Sequence, residues 1–109
     1  MAFGFPFASY KEKIETQGDK ESVRQSVLHA FKSLSWTPEM RSADKYRTFI
    51  RDPDWRSYDE YVTVTVLDGA VLVKSRCAYV QIVDYGKNKE HVEEFKSHFR
   101  TADLSASNR

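Results

Sequence analysis

The sequence predicts an α+β fold: a single antiparallel sheet of about five strands, in the order β-α-β-β-β-β-α, with two helices packed on one face. Three observations carry this. An early segment places Val23, Val27, Ala30, Phe31 and Leu34 on one helical stripe. Two valine-rich segments alternate with period two on either side of Asp68-Gly69. A second helical stripe, Val92, Phe95, Phe99 and Ala102, lies near the end. A period of 3.6 marks an amphipathic helix, and a period of two marks a half-buried strand. Successive strands with a helix before and after them give two layers, one of sheet and one of helix.

The elements follow in order. Residues 1–8 alternate Phe3, Phe5 and Phe7 with small residues, an extended aromatic segment in which Pro6 argues against a central strand. Residues 9–16 alternate through Tyr10 and Ile14 and form a first strand. A helix over 20–34 starts behind Asp19, an N-cap residue, with Glu21 in the first turn where the helix dipole favours an acid. Short mixed segments near 36–42 and 45–51 read as strands, and Pro38 makes the first an edge strand or delays its start. "DPDWRSYDE" is loop chemistry.

The next segments form a hairpin. Asp68-Gly69 signals a two-residue type I′ turn, which places Val62, Val64, Val66, Val71, Val73, Ser75 and Cys77 on a core face. Thr63, Thr65, Leu67, Leu72, Lys74 and Arg76 take the other face. A final helix runs over about 88–101. The chain therefore divides into an aromatic segment 1–8, one domain over 9–101 and a flexible polar tail over 102–109.

Bulk properties narrow the function. The chain has 109 residues, and 17 Lys and Arg balance 16 Asp and Glu to a net charge of +1. Balanced charge argues against a nucleic-acid-coating protein, and no nucleic acid is expected. The segment 41–61 interleaves Arg41, Lys45, Arg47, Arg51 and Arg56 with aromatic residues, but acids nearly cancel its charge. The single Cys77 makes no internal disulfide. No signal-peptide pattern or apolar run of spanning length is present, so a cytoplasmic location is expected.

Site signals are sparse. Gly86, Lys87, Asn88 and Lys89 stand at the start of the last helix and are the candidate anion or ligand contacts. The simpler account has Gly86 making the turn and Asn88 capping the helix. The motif is no P-loop, because Ser or Thr does not follow the lysine. His29, His91 and His98 show no metal-ligand spacing, and neither a metal nor a cofactor is expected. Ser75 lacks a nucleophile-elbow motif; as a buried hydroxyl it needs a partner, for which a backbone carbonyl or Asp84 is available. Phe3, Phe5, Trp55 and Tyr58 are the candidate partner surface, and Phe7 is assigned to the core.

Leu34-Ser35-Trp36, Ser75-Arg76-Cys77 and Asp84-Tyr85-Gly86-Lys87-Asn88 together resemble the pattern of a small bacterial α+β domain type. Its helix ends in L-x-W and its last helix follows a D-[WF]-G-K-N turn; Tyr85 departs mildly from that pattern. The resemblance covers most of residues 10–100. It implies one compact domain, found also joined to membrane-spanning segments, and implies no activity. The element order is also similar in outline to helix-grip domains. Three functional expectations arise. The first is a non-enzymatic interaction domain for a protein or a membrane-associated partner. The second is a small-molecule binder of helix-grip type. The third is an anion- or nucleotide-binding enzyme using the Lys87-Asn88 helix start.

Overall fold

A computed structural model describes residues 9–50, 60–77 and 87–107. Five strands and two helices follow in the expected order: β1 (Ser9–Glu15), α1 (Lys20–Ser33), β2 (Glu39–Ser42), β3 (Lys45–Ile50), β4 (Glu60–Leu67), β5 (Ala70–Cys77) and α2 (Lys87–Ser107). The strands form one antiparallel sheet in the order β1-β5-β4-β3-β2. β2 begins one residue after Pro38 and lies at the sheet edge, as a strand next to a proline should.

Each helix contributes its apolar stripe to one face of the sheet. Val23, Val27, Ala30 and Phe31 of α1 and Val92, Phe95 and Phe99 of α2 join Ile14, Tyr46, Val62, Val64, Val66, Val71 and Val73 in one cluster. Burial of each such side chain contributes roughly 1.5–3 kcal/mol relative to exposure. Asp19 caps α1 and accepts the Ser22 N–H at 2.8 Å.

The C-terminus of α1 closes on two backbone bonds. The Ser35 N–H donates to the Lys32 carbonyl and the Trp36 N–H to the Phe31 carbonyl. This is a Schellman motif, and Ser35 takes its left-handed position at φ 60°. Trp36 then packs edge-on against Phe31, ring centroids 5.9 Å apart. The apolar contact across the motif fixes the direction in which the chain leaves the helix.

Two expectations change at element ends. The hairpin keeps the expected register, with Leu67 opposite Ala70, but only Gly69 of its turn has positive φ, at 75°. That is the sign pattern of a type II turn, not type I′. Glycine takes the left-handed conformation at no steric cost, and Asp68 avoids it. Helix α2 runs to Ser107 instead of stopping near 101. Ala102 is buried, and Asp103 accepts a hydrogen bond from Thr16 Oγ1 at 2.9 Å. Much of the expected loose tail is therefore helix, tied to the end of β1.

Candidate functional site

A polar cluster lies under α2, on the covered face of the sheet. Continuing the β4 alternation two residues back from Val62 places Glu60 on that face, and it is 0% exposed. Ser75, equally buried on β5, donates to Glu60 Oε2 at 3.0 Å. His91 Nδ1 meets the same oxygen at 2.5 Å from the first half of α2. The other oxygen, Oε1, has no hydrogen-bond partner among the described residues. Trp36 covers the imidazole edge-on with ring centroids 6.1 Å apart, and it stacks on Phe95.

Burial alone would lower the His91 pKa. The hydrogen bond and charge of Glu60, with Glu94 and Glu90 adding to them, outweigh burial and raise it above the ordinary value. The favoured form is therefore an imidazolium donating to Glu60. A hydroxyl, an imidazole and a carboxylate suggest a nucleophilic triad, but the order is wrong. In a triad the imidazole lies between the other two. Here the carboxylate lies between them, and the hydroxyl is sealed from solvent. The cluster fastens α2 to β4 and β5.

The residues expected to form sites fare unevenly. Lys87, Asn88 and Lys89 begin α2, so Asn88 falls inside the first turn and not at the cap position expected for it. Gly86, Phe3, Phe5, Phe7, Trp55, Tyr58 and Asp84 lie outside the described residues. The partner of Ser75 on the described part of the chain is Glu60, which the residue pattern places at the edge of a loop. His29 is exposed on α1 and His98 half-buried on α2, so neither joins His91. Among the described residues no group of His, Cys, Asp or Glu is arranged to hold a metal ion, and no helix is long and apolar enough to cross a membrane.

A second feature lies on the opposite face, which neither α1 nor α2 covers. Strand alternation places Lys11, Lys13, Lys45, Arg47, Lys74 and Arg76 there, against Glu15 and Glu39. Among the described residues, six cations less two carboxylates give +4 on this face. The whole chain carries +1, so the remainder carries −3. Glu39 binds Arg47 at 2.9 Å and Arg41 at 3.0 Å. Among the described residues Lys11, Lys13, Lys45, Lys74 and Arg76 form no ion pair. Lys11 stands directly opposite Lys74 in the register. Like charges in that position destabilise a sheet.

Tyr61 lies on the central strand near one end of this face, between Arg76 on β5 and Phe49 on β3. The Arg47 guanidinium sits over its ring, 4.5 Å from the centroid. Two shallow depressions meet at Arg47 and Tyr61. One, of about 240 Å³, is completed by Thr63, Lys74 and Arg76. The other, of about 360 Å³, is completed by Thr37, Glu39 and Phe49. They adjoin along Arg47 and Tyr61 and span β5, β4, β3 and the start of β2.

In comparisons with known proteins, no family model and no curated protein matches this chain.

Proposed function

We propose that this protein is a non-enzymatic interaction domain whose working surface is the sheet face opposite α1 and α2 and whose partner is anionic. One observation carries the reading: the described residues of one face gather +4 of charge in a chain whose total is +1. Surface charge adds little to stability, and the Lys11–Lys74 opposition subtracts from it. A partner bearing negative charge relieves that opposition. The lone cysteine fits a reducing compartment, and the proposed place of action is the cytoplasm.

The test is retention on immobilised heparin at pH 7.8, where the chain as a whole is close to neutral. Net charge then contributes nothing and a local patch contributes everything. The expected result is retention that elevated salt reverses, and its loss in the Lys74→Glu/Arg76→Glu variant. Passage of the unaltered protein straight through at low salt defeats the reading.

A further inference from the structure

The chemistry of the sheet face opposite α1 and α2 narrows the class of partner, and this narrower assignment rests on the anionic-partner reading. We propose that this face binds single-stranded nucleic acid, with phosphates on the lysines and arginines of β1, β3 and β5 and a base stacked at the Arg47–Tyr61 pair.

Charge alone would be served by any polyanion, but a simple polyanion has no use for an aromatic ring set beside the cations of the strip. Tyr61 has that position, with Arg76 and Phe49 as its register partners and Arg47 over its ring at 4.5 Å. A guanidinium over an aromatic ring adds a second stacking group beside it, and unpaired bases stack on both kinds of group. Lys74 and Arg76 flank the same depression, within reach of the backbone of a strand whose base lies on the ring. A duplex keeps its bases stacked on each other and presents only phosphates, so it would use the cations and leave the ring idle. An unpaired strand uses both.

This departs from the expectation, drawn from the charge balance, that no nucleic acid binds. The acids of segment 41–61 nearly cancel its bases along the chain, but the two described ones, Asp44 and Glu60, both lie on the covered side of the sheet. Asp44, in the turn before β3, points to α1 and pairs with Lys20 at 3.2 Å and Arg24 at 2.6 Å. Lys45 and Arg47 project to the other side. The alternation of the strand separates the two signs.

The experiment measures anisotropy of a labelled 12-nucleotide oligo-dT at pH 7.8, with a 12-base-pair duplex, heparin and anionic lipid vesicles as competitors. The unaltered protein is expected to prefer the single strand. Its affinity should fall with salt at a log–log slope of about −1.4 to −2.8, the value for two to four phosphates at roughly −0.7 each. Tyr61→Ala should weaken oligo-dT binding roughly 5- to 150-fold, the range for loss of one base stack. It should leave heparin affinity within about twofold, and Tyr61→Phe should restore the oligonucleotide. If Tyr61→Ala unfolds, Tyr61→Leu takes its place, with apolar bulk but no ring.

Equal loss of heparin and oligonucleotide in the ring-less variants overturns the inference. So does a duplex, or a vesicle surface, that competes as well as the single strand. In each of those cases the anionic-partner reading survives. Failure to bind both heparin and oligo-dT ends both proposals.

Discussion

The two faces of the sheet treat charge in opposite ways. On the covered side acids meet matched counterparts. Glu12 meets Lys96 at 2.5 Å, Asp44 meets Lys20 and Arg24, and Glu60 meets His91 and Ser75. On the open face five cations stand without an ion pair among the described residues, and two lysines oppose each other. Folding explains the first arrangement, because a charge withdrawn from water needs a partner. It does not explain the second, since an exposed lysine can be replaced at almost no cost in stability. The covered face is built for the fold, and the open face carries what the fold does not require.

That contrast is sharpened most by breaking the covered face. Phe95 is fully buried, lies edge-on to Phe31 and stacks with Trp36 and Phe99. Phe95→Ala should cost about 4 kcal/mol, read as the shift in urea midpoint. A cost below about 1 kcal/mol would mean that the helices are not seated as described.

The next effect in size is at His91. His91→Ala leaves Glu60 buried with one hydrogen bond fewer, and removal of one partner of a buried pair costs about 3 kcal/mol at low pH. The sign of its pH dependence comes from the raised pKa. His91 binds its proton more tightly folded than unfolded, so the stabilisation is complete below the ordinary value of 6.5 and is lost as pH rises through the raised one. The gap between the unaltered protein and His91→Ala should therefore narrow as pH rises from about 5.5 through neutrality. A gap that widens with pH would mean that the imidazole is held neutral. Replacing both groups together, as Glu60→Met/His91→Leu, should cost less than His91→Ala alone, because no buried charge is left behind.

The parts of the molecule legible in its sequence were those governed by a repeating period. Both helical stripes and the Val62–Val73 alternation predicted the layers and the register, because burial of one face fixes register to the residue. Glu60 was hidden for a specific reason. It ends a run of loop residues, "DPDWRSYDE", and an acid on a core face contradicts the rule that places the rest of the strand. Only an extension of the β4 alternation across that boundary would have exposed it. The basic face was hidden by counting charge along the chain instead of by parity. Sorted by odd and even positions, β1, β3 and β5 yield the patch without coordinates. The type II turn and the left-handed Ser35 depend on backbone angles, for which the residue types set only a preference.

Ser35 is a smaller test of the covered side. The Schellman position favours glycine, and serine occupies it with φ at 60°. Ser35→Gly should stabilise by roughly 0.5–1 kcal/mol, as relief of left-handed strain exceeds the extra chain entropy of glycine. A loss of stability would show that the serine side chain makes a compensating contact.

The smallest effect discriminates best between the two faces. Lys74→Thr removes the like-charge opposition to Lys11 and places a threonine opposite Thr63 on β4. Threonine suits a strand, and a Thr–Thr pair across strands is favourable. Stability should rise by a few tenths of a kcal/mol at low salt. The gain should shrink towards roughly 1 M salt, where charges are screened within about 3 Å. Heparin retention should fall in the same variant. Stability and binding moving in opposite directions is the signature of a residue kept for a partner and not for the fold. If Lys74→Thr instead destabilises by about 1 kcal/mol or more, the lysine belongs to the architecture and the contrast between the faces fails at its centre.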